Sequence, residues 1–367
     1  MNKNIKIIFT TLILLLILTG CTKPLKDSDN NRVIYNYEII CDNCSAICEE
    51  NLEKYNELKE KSELTDDEQI IFNELYENNK SCEDDCLEKC ELAKENSTGQ
   101  SLTENILCRP TNKDVIEIYK INNVDISNLP ECAEYKINDS GYEGLWTSFF
   151  VKPLAWLVLR IGTIINNYGL SLMLVSFIIR LILMPLTKNT ALQSENMKKA
   201  QPEISAVEQK YKGKTDQESV MKKSQETMLI YKKHGINPLS SCLFAFIQIP
   251  ILFAFIEAIN RTPAIFEETL FGLKLGMTPS VAMTRGEWWY IFIVIILALV
   301  TYFSFKLNKT AAATPSSEKQ MKIMNKFLII FIIFMSFSLS TAIGLYWITS
   351  SGFTIFQNIL VKRGVKK

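Results

Sequence analysis

Three groups of residues in this 367-residue chain have side chains able to act on something. The first centres on Arg180, well inside the apolar run Leu172-Met173-Leu174-Val175-Ser176-Phe177-Ile178-Ile179-Arg180-Leu181-Ile182-Leu183-Met184-Pro185. An arginine at the centre of a membrane costs about 2.5–3.5 kcal/mol on insertion scales. Arg180 must face water or a polar partner within a bundle, or snorkel toward the side marked by Lys188. Ser176 is one turn away on the same face. Gln248, Ser350, Thr354 and Gln357 are further polar groups set in apolar surroundings. The second group is eight cysteines between residues 41 and 132, and the third is Cys21 alone. His234 is the only histidine. It is followed by Gly235 and reads as a helix end, so histidine-assisted nucleophilic catalysis has no foothold.

The net charge is zero, with 40 basic and 40 acidic residues, but the distribution is uneven. Acidic residues crowd the stretch from Asp27 to Glu143, and beyond about residue 145 apolar runs alternate with lysine-rich stretches. At the N-terminus, Lys3 and Lys6 precede an apolar run over 7–18, too short to span comfortably, which reads as a signal-peptide core of residues 1–20. It ends in Leu18-Thr19-Gly20-Cys21, which resembles the bacterial lipoprotein box. Small residues fit a peptidase cleft, and the Cys21 thiol is the nucleophile that takes a lipid. Whether cleaved there or retained as an anchor, the chain from residue 22 starts outside the cytoplasm.

In that compartment so many thiols predict disulfides. Cys44 and Cys48 are four residues apart, as are Cys82, Cys86 and Cys90, so each set lies on one helical face. The positions mirror one another about residue 65, where Thr65-Asp66-Asp67-Glu68 forms a capping box that starts a helix. The spacing predicts an antiparallel hairpin of helices 43–62 and 66–90. Nested bridges Cys41–Cys90, Cys44–Cys86 and Cys48–Cys82 would staple it, leaving Cys108 to pair with Cys132. Each could contribute ~3–4 kcal/mol through chain entropy. A metal site is the rival for these sulfurs, and the expectation here is no metal. The pattern resembles twin Cys-x3-Cys helical hairpins, and an interaction or spacer module is its plainest role.

Five apolar stretches predict spans at about 168–186, 239–259, 288–305, 327–340 and 342–361. The last two cannot be one helix, because 327–361 would stretch roughly 50 Å against a hydrocarbon core of ~30 Å. Ser336-Phe337-Ser338-Leu339-Ser340-Thr341 is polar enough to break the run. Ten lysines over 187–238, five over 306–326 and the basic tail Lys362, Arg363, Lys366 and Lys367 all belong inside when the N-terminus is outside. Residues 146–165 are also apolar, but Lys152, Arg160, Thr163 and Asn167 share a face and predict a helix in the outer interface. Were it a span, every lysine-rich loop would be on the wrong side. Glu257 then falls at the outer end of the second span and reads as interfacial. Residues 188–238 predict a cytoplasmic helical hairpin, with Gly213 closing its first helix and Thr215 or Asp216 opening its second.

These features make an all-α membrane protein. It has an extracytoplasmic cysteine-rich region over 21–145 and a membrane domain over 146–367. Several stretches, together and in order, resemble the YidC-type membrane protein insertase family. They are the arginine-bearing first span with Met184-Pro185-Leu186-Thr187, then Tyr231-Lys232-Lys233-His234-Gly235-Ile236-Asn237-Pro238 running into Ser241-Cys242-Leu243, then Ile247-Gln248-Ile249-Pro250-Ile251, and Gly344-Leu345-Tyr346-Trp347. The lipobox is similar to the Gram-positive branch. The resemblance implies a hydrophilic groove closed to the outside and open to the cytoplasm and lipid, with Arg180 in it and Trp347 near it. It implies insertion of nascent membrane proteins into the lipid bilayer without catalysis or cofactor, with the Sec translocon and ribosome as further partners and no specific nucleic acid. No Walker pattern is present, so burial of the client's apolar helix in lipid must supply the energy. Ser304 stands where the family often has glutamine, and the cysteine-rich insert is unusual for it. An anion transporter using Arg180 would need internal repeats, which the sequence lacks. A surface lipoprotein working through its cysteine hairpin is the other alternative.

Overall fold

The computed structural model describes residues 22–237, 240–307 and 315–365, so Cys21 and the preceding leader lie outside the described residues. Within them the chain is mostly helical. Helix α1 (Tyr37–Lys59) and α2 (Asp66–Asn96) form the antiparallel hairpin. The capping box at Thr65 forms as the sequence predicts: the Glu68 amide donates to the Thr65 hydroxyl at 3.3 Å, and the Thr65 amide donates to the Glu68 carboxylate at 3.0 Å. Helix α1 starts six residues earlier than 43 and stops three short of 62, and α2 continues six beyond 90.

Residues 24–35 lie beside 100–103 in a β-like ladder, and α3 (Lys113–Ile121) packs below. Leu25, Val33, Ile40, Leu102, Ile118 and Tyr119 form the core of this outer region. Phe266, from the far half of the chain, joins the same core. The outer region is therefore docked on the rest of the molecule. Leu107 donates its amide to the Arg261 carbonyl at 2.8 Å, and Thr278 donates its own to the Thr98 carbonyl at 3.0 Å. Gly99 permits that approach: its φ is +74°, and a Cβ there would stand 2.6 Å from Val281.

A π-helical turn (Thr147–Val151) leads into α4 (Lys152–Ile165), and Asn166 in the left-handed conformation turns the chain into α5 (Tyr168–Lys210). Gly162 makes the turn tight, since a Cβ there would meet the Tyr168 ring at 2.2 Å. Helix α5 differs from the sequence reading. It runs unbroken for 43 residues through Pro185 and Pro202, joining the first span to the first helix of the predicted hairpin. Each proline removes one backbone hydrogen bond, and the other turns on either side hold the helix. At ~1.5 Å per residue it is roughly 65 Å long, about twice a hydrocarbon core.

Helix α6 (Gln217–Lys233) returns along α5 after a turn at Gly213, with Asp216 accepting the Ser219 amide at 2.8 Å as its N-cap. Then come α7 (Ser240–Asn260) and the short α8 (Pro263–Phe266). The two-residue strands β1 (Thr269–Leu270) and β2 (Leu273–Lys274) follow, then the short α9 (Pro279–Thr284). The chain ends in α10 (Tyr290–Leu307), α11 (Pro315–Ser336) and α12 (Thr341–Val365). The break between α11 and α12 falls over 337–340, where the serines predict it.

By length and composition, Thr147–Ile165, Tyr168–Pro185 and Tyr290–Leu307 are long and apolar enough to cross a membrane, and Gln248–Asn260 and Asn325–Ser336 are shorter apolar helices. Helix α4 packs on α7 and α5. Ala155 and Leu159 pack on Ala254 and Ala258 at the end of α7, while Val158 packs with Leu172 and Val175 at the start of α5.

Candidate functional site

Arg180 lies in the seam between α5 and α12, 7% exposed. Its Nε donates to the Ser350 hydroxyl at 2.8 Å, and a terminal nitrogen donates to the same oxygen. Among the described residues no carboxylate pairs with it. Two turns further on, Thr187 and Gln357 exchange hydrogen bonds at 2.9–3.1 Å across the same helices. Both pairs are separated by 170 residues, so α5 and α12 run parallel in a fixed register. Seven residues is two helical turns, about 10.5 Å, so the seam carries polar groups at two levels on one stripe.

The other sequence-selected residues are distributed around that stripe. Ser176 is buried but donates to the Leu172 carbonyl at 2.7 Å, and Thr354 likewise donates to the Ser350 carbonyl at 3.0 Å. Both hydroxyls are spent on their own helices. Trp347 reaches α10, where its indole nitrogen donates to Thr301 at 2.9 Å. Gln248 is half-buried on α7, and its side-chain carbonyl has no hydrogen-bond partner among the described residues. Sequence reasoning singled out neither Thr187 nor Thr301 as a lining residue. Thr301 is fully buried within an apolar helix, and a threonine there can always back-bond to its own turn, so its type alone gives no signal.

A second polar centre was missed altogether. Arg261, 1% exposed, follows the end of α7. It pairs with Glu257 at 3.3 Å and Glu143 at 2.6 Å, and its Nε donates to the Asn105 carbonyl at 2.6 Å. Lys152 completes the group at 3.0 Å from Glu143. Lys152, which the sequence places on a polar face of α4, is fully buried, and Glu257, near the end of α7, is 5% exposed and also accepts the Trp146 indole at 3.0 Å. Burial pushes the Glu143 carboxyl up, but the Arg261 guanidinium and the Lys152 ammonium beside it hold it below the ordinary value. Two cations and two carboxylates balance, and the group joins the outer region to α7 and α4.

In the outer hairpin, Cys41 and Cys90, Cys44 and Cys86, and Cys48 and Cys82 stand at disulfide distance, with Cα separations of 5.2, 5.8 and 5.9 Å. Cys108 and Cys132 do so at 4.8 Å. The sulfurs of Cys44, Cys48 and Cys86 lie within 4.8 Å of one another, so this is where reduced thiols would hold a metal. His234 caps α6, and its Nε2 lies 2.9 Å from Glu203 on α5. With Lys233, it holds the Glu203 carboxyl below its ordinary value and staples the α5–α6 pair.

Comparison with known proteins bears on what this arrangement is for. Residues 160–367 match the family model described as 60Kd inner membrane protein. Membrane protein insertase YidC of Oceanobacillus iheyensis is 33% identical over 226 residues, covering 60% of this chain and 85% of that protein. Membrane protein insertase YidC 2 of Bacillus anthracis is 34% identical over 220 residues, 60% and 82% of the two chains. Membrane protein insertase MisCA of Bacillus subtilis is 34% identical over 218 residues, 59% and 79%. The family model begins at residue 160, so the cysteine hairpin, Glu143 and Lys152 precede it, whereas Arg180, Glu257 and Arg261 fall inside it.

Proposed function

Because the chain belongs to the 60Kd inner membrane protein family of membrane protein insertases, we propose that Arg180 is the charge that draws the polar tail of a client part-way into the bilayer. The protein is a multi-pass protein of the cell membrane, its clients are nascent membrane proteins, and the work is insertion rather than enzymatic catalysis. The observation that carries the proposal is the pairing of Arg180. A guanidinium has five N–H donors, and among the described residues Ser350 alone accepts from it. The remaining donors are available to a client's carboxylates and carbonyls, and in low dielectric such contacts are strong. Ser350, Thr187 and Gln357 extend the polar stripe toward the cytoplasm, with Ser176, Gln248, Thr354 and Trp347 around it. The client's apolar helix leaves into lipid along α10 and α12, and its burial there drives the step.

In this reading five spans lie within α5, α7, α10, α11 and α12, with the C-terminus in the cytoplasm. The lysines of the α5–α6 hairpin and of 306–326 support that orientation. Helix α4 lies in the outer interface, supported by the shared face of Arg160, Thr163 and Asn167 and by packing of Ala155, Val158 and Leu159 on the end of α7 and the start of α5. A lipid on Cys21 anchors the outer region, four disulfides close it, and the lysine-rich hairpin faces the ribosome and the Sec translocon.

The test is reconstitution of the pure protein in liposomes with short one-span clients. Arg180→Glu should slow insertion of a client with an acidic tail by about tenfold or more, the equivalent of one charge-assisted hydrogen bond. A client with a basic tail should be slowed less. Equal rates for wild type and variant on the acidic client would overturn the role given to Arg180.

A further inference from the structure

Helix α4 has three distinct sides. Ala155, Val158, Leu159 and Gly162 are buried against the bundle. Phe150, just before it, and Ile164 and Ile165 at its end are 49%, 74% and 40% exposed, and form the apolar flank at its two ends. Trp156 and Arg160, one turn apart, occupy the edge between that flank and the outer region. Facing this edge is the loop over 128–139, beside the Cys108–Cys132 pair. Between edge and loop lies a cavity of about 870 Å³, lined by Asn128, Glu134, Lys136, Asp139, Trp156 and Arg160 among others. That volume is within the ~300–1,000 Å³ range of small-molecule sites.

The lining carries two cations and two carboxylates that do not satisfy one another. Among the described residues neither Lys136 nor Arg160 forms an ion pair, and Asp139 accepts the backbone amide of Lys136 at 2.7 Å rather than its ammonium.

We propose that this cavity holds the headgroup of a phospholipid that carries an ammonium beside its phosphate. The phosphate lies against Arg160 and Lys136, and the ammonium lies against Glu134 and Asp139. The acyl chains run over Phe150, Ile164 and Ile165, and Trp156 stands at the boundary, where an amphipathic ring is favoured. A bound lipid would fix α4 at the membrane surface and tie the outer region to the bilayer at a second point. The inference rests on the reading that α4 lies in the interface.

The experiment uses the full chain, delipidated in detergent and examined by native mass spectrometry. The probes are diacyl phosphatidylethanolamine, diacyl phosphatidylglycerol and glycerophosphoethanolamine without chains. Wild type should retain phosphatidylethanolamine several-fold better than phosphatidylglycerol, and bind the chainless headgroup far more weakly than either. Lys136→Gln with Arg160→Gln should weaken retention about tenfold or more. Glu134→Gln with Asp139→Asn should erase the preference between the two lipids. Unchanged retention in the first pair, no preference in wild type, or equal binding of the chainless headgroup would each overturn the proposal. If a double variant fails to fold, the single Arg160→Gln variant and the wild-type lipid preference still decide. Spin labels at Phe150→Cys and Ile164→Cys report separately on α4. Equal shallow depths support an interfacial helix, whereas depths about 20 Å apart mean that it crosses the membrane. That second result would defeat the reading of α4 even if the cavity still retained a lipid.

Discussion

Among the described residues two arginines are buried, Arg261 and Arg180, and their surroundings are opposite. Arg261, at the outer end of α7, has Glu257, Glu143 and a backbone carbonyl as acceptors and stands next to the Lys152–Glu143 pair. Arg180, in the seam of α5 and α12, has the Ser350 hydroxyl. Removing a charge from water is unfavourable unless partners replace the water. Arg261 satisfies that condition within the protein, as a group that holds the structure would. Arg180 satisfies it only in part, so the protein keeps a buried cation with donors to spare. On the proposed function, this is the difference between a fastener and a binding group.

The contrast can be broken most directly at the outer centre. Arg261→Leu leaves Glu257 and Glu143 without their main partner, and breaking a buried pair from one side typically costs about 3–5 kcal/mol. Thermal unfolding of the full chain in detergent should show that loss, and protease should then cut at 139–146, where the outer region joins α4. A stability within about 1 kcal/mol of wild type would mean that the four charges are not a fastener. Arg180→Gln is the converse. It replaces an under-partnered cation with a neutral amide that can still reach Ser350, so stability should stay within about 1 kcal/mol of wild type. Insertion of an acidic-tailed client should nevertheless fall by about tenfold. If Arg180→Gln destabilised as much as Arg261→Leu, the two arginines would have the same role.

The sequence discloses features whose causes are local. The capping box at Thr65, the polar break over 337–340, the turn at Gly213 and the stop at His234 each depend on a few adjacent residues, and each is where the sequence puts it. The cysteine register is legible because helical spacing and mirror order constrain it together. Continuity of α5 through Pro185 is not legible, since proline argues for a stop and only packing against α12 and α6 argues otherwise. The outer charge centre is hidden for a similar reason. Glu143, Lys152, Glu257 and Arg261 are scattered over 119 positions, and each alone looks like an ordinary surface charge at an interface. The Arg180 pairing is intermediate. The sequence shows that the guanidinium needs a partner and offers Ser350 among several candidates, but only the register of α5 on α12 selects it.

A smaller effect sharpens the seam itself. Trp347→Phe keeps a six-membered aromatic ring but removes the pyrrole part of the indole with the N–H that reaches Thr301, losing a hydrogen bond of about 0.5–1.5 kcal/mol between α10 and α12 together with some packing. Trp347 does not touch Arg180, so the loss should appear in thermal stability and weaken acidic-tailed and basic-tailed clients alike. A selective effect on acidic-tailed clients would move Trp347 into the binding group.

The smallest expected effect is a pH dependence at Glu143. Its carboxyl is held below the ordinary value of about 4.3 by Arg261 and Lys152. A group whose folded value is lowered contributes stability that is complete above its unfolded value and is lost as pH falls through the folded one. Between pH 7 and pH 5 the contribution should therefore be flat, and it should decline only in the acid limb. Other carboxylates titrate there too, so the quantity to read is the gap in unfolding temperature between wild type and Glu143→Gln. The neutral amide lacks the ion pairs at every pH, so the gap should be constant near neutrality and close on acidification below about pH 4. A gap that stays constant to pH 3, or widens, would show that Glu143 holds its two cations as a hydrogen-bond acceptor rather than as a charge. The outer centre would then resemble Arg180 and Ser350 more closely than the opposition drawn between them allows.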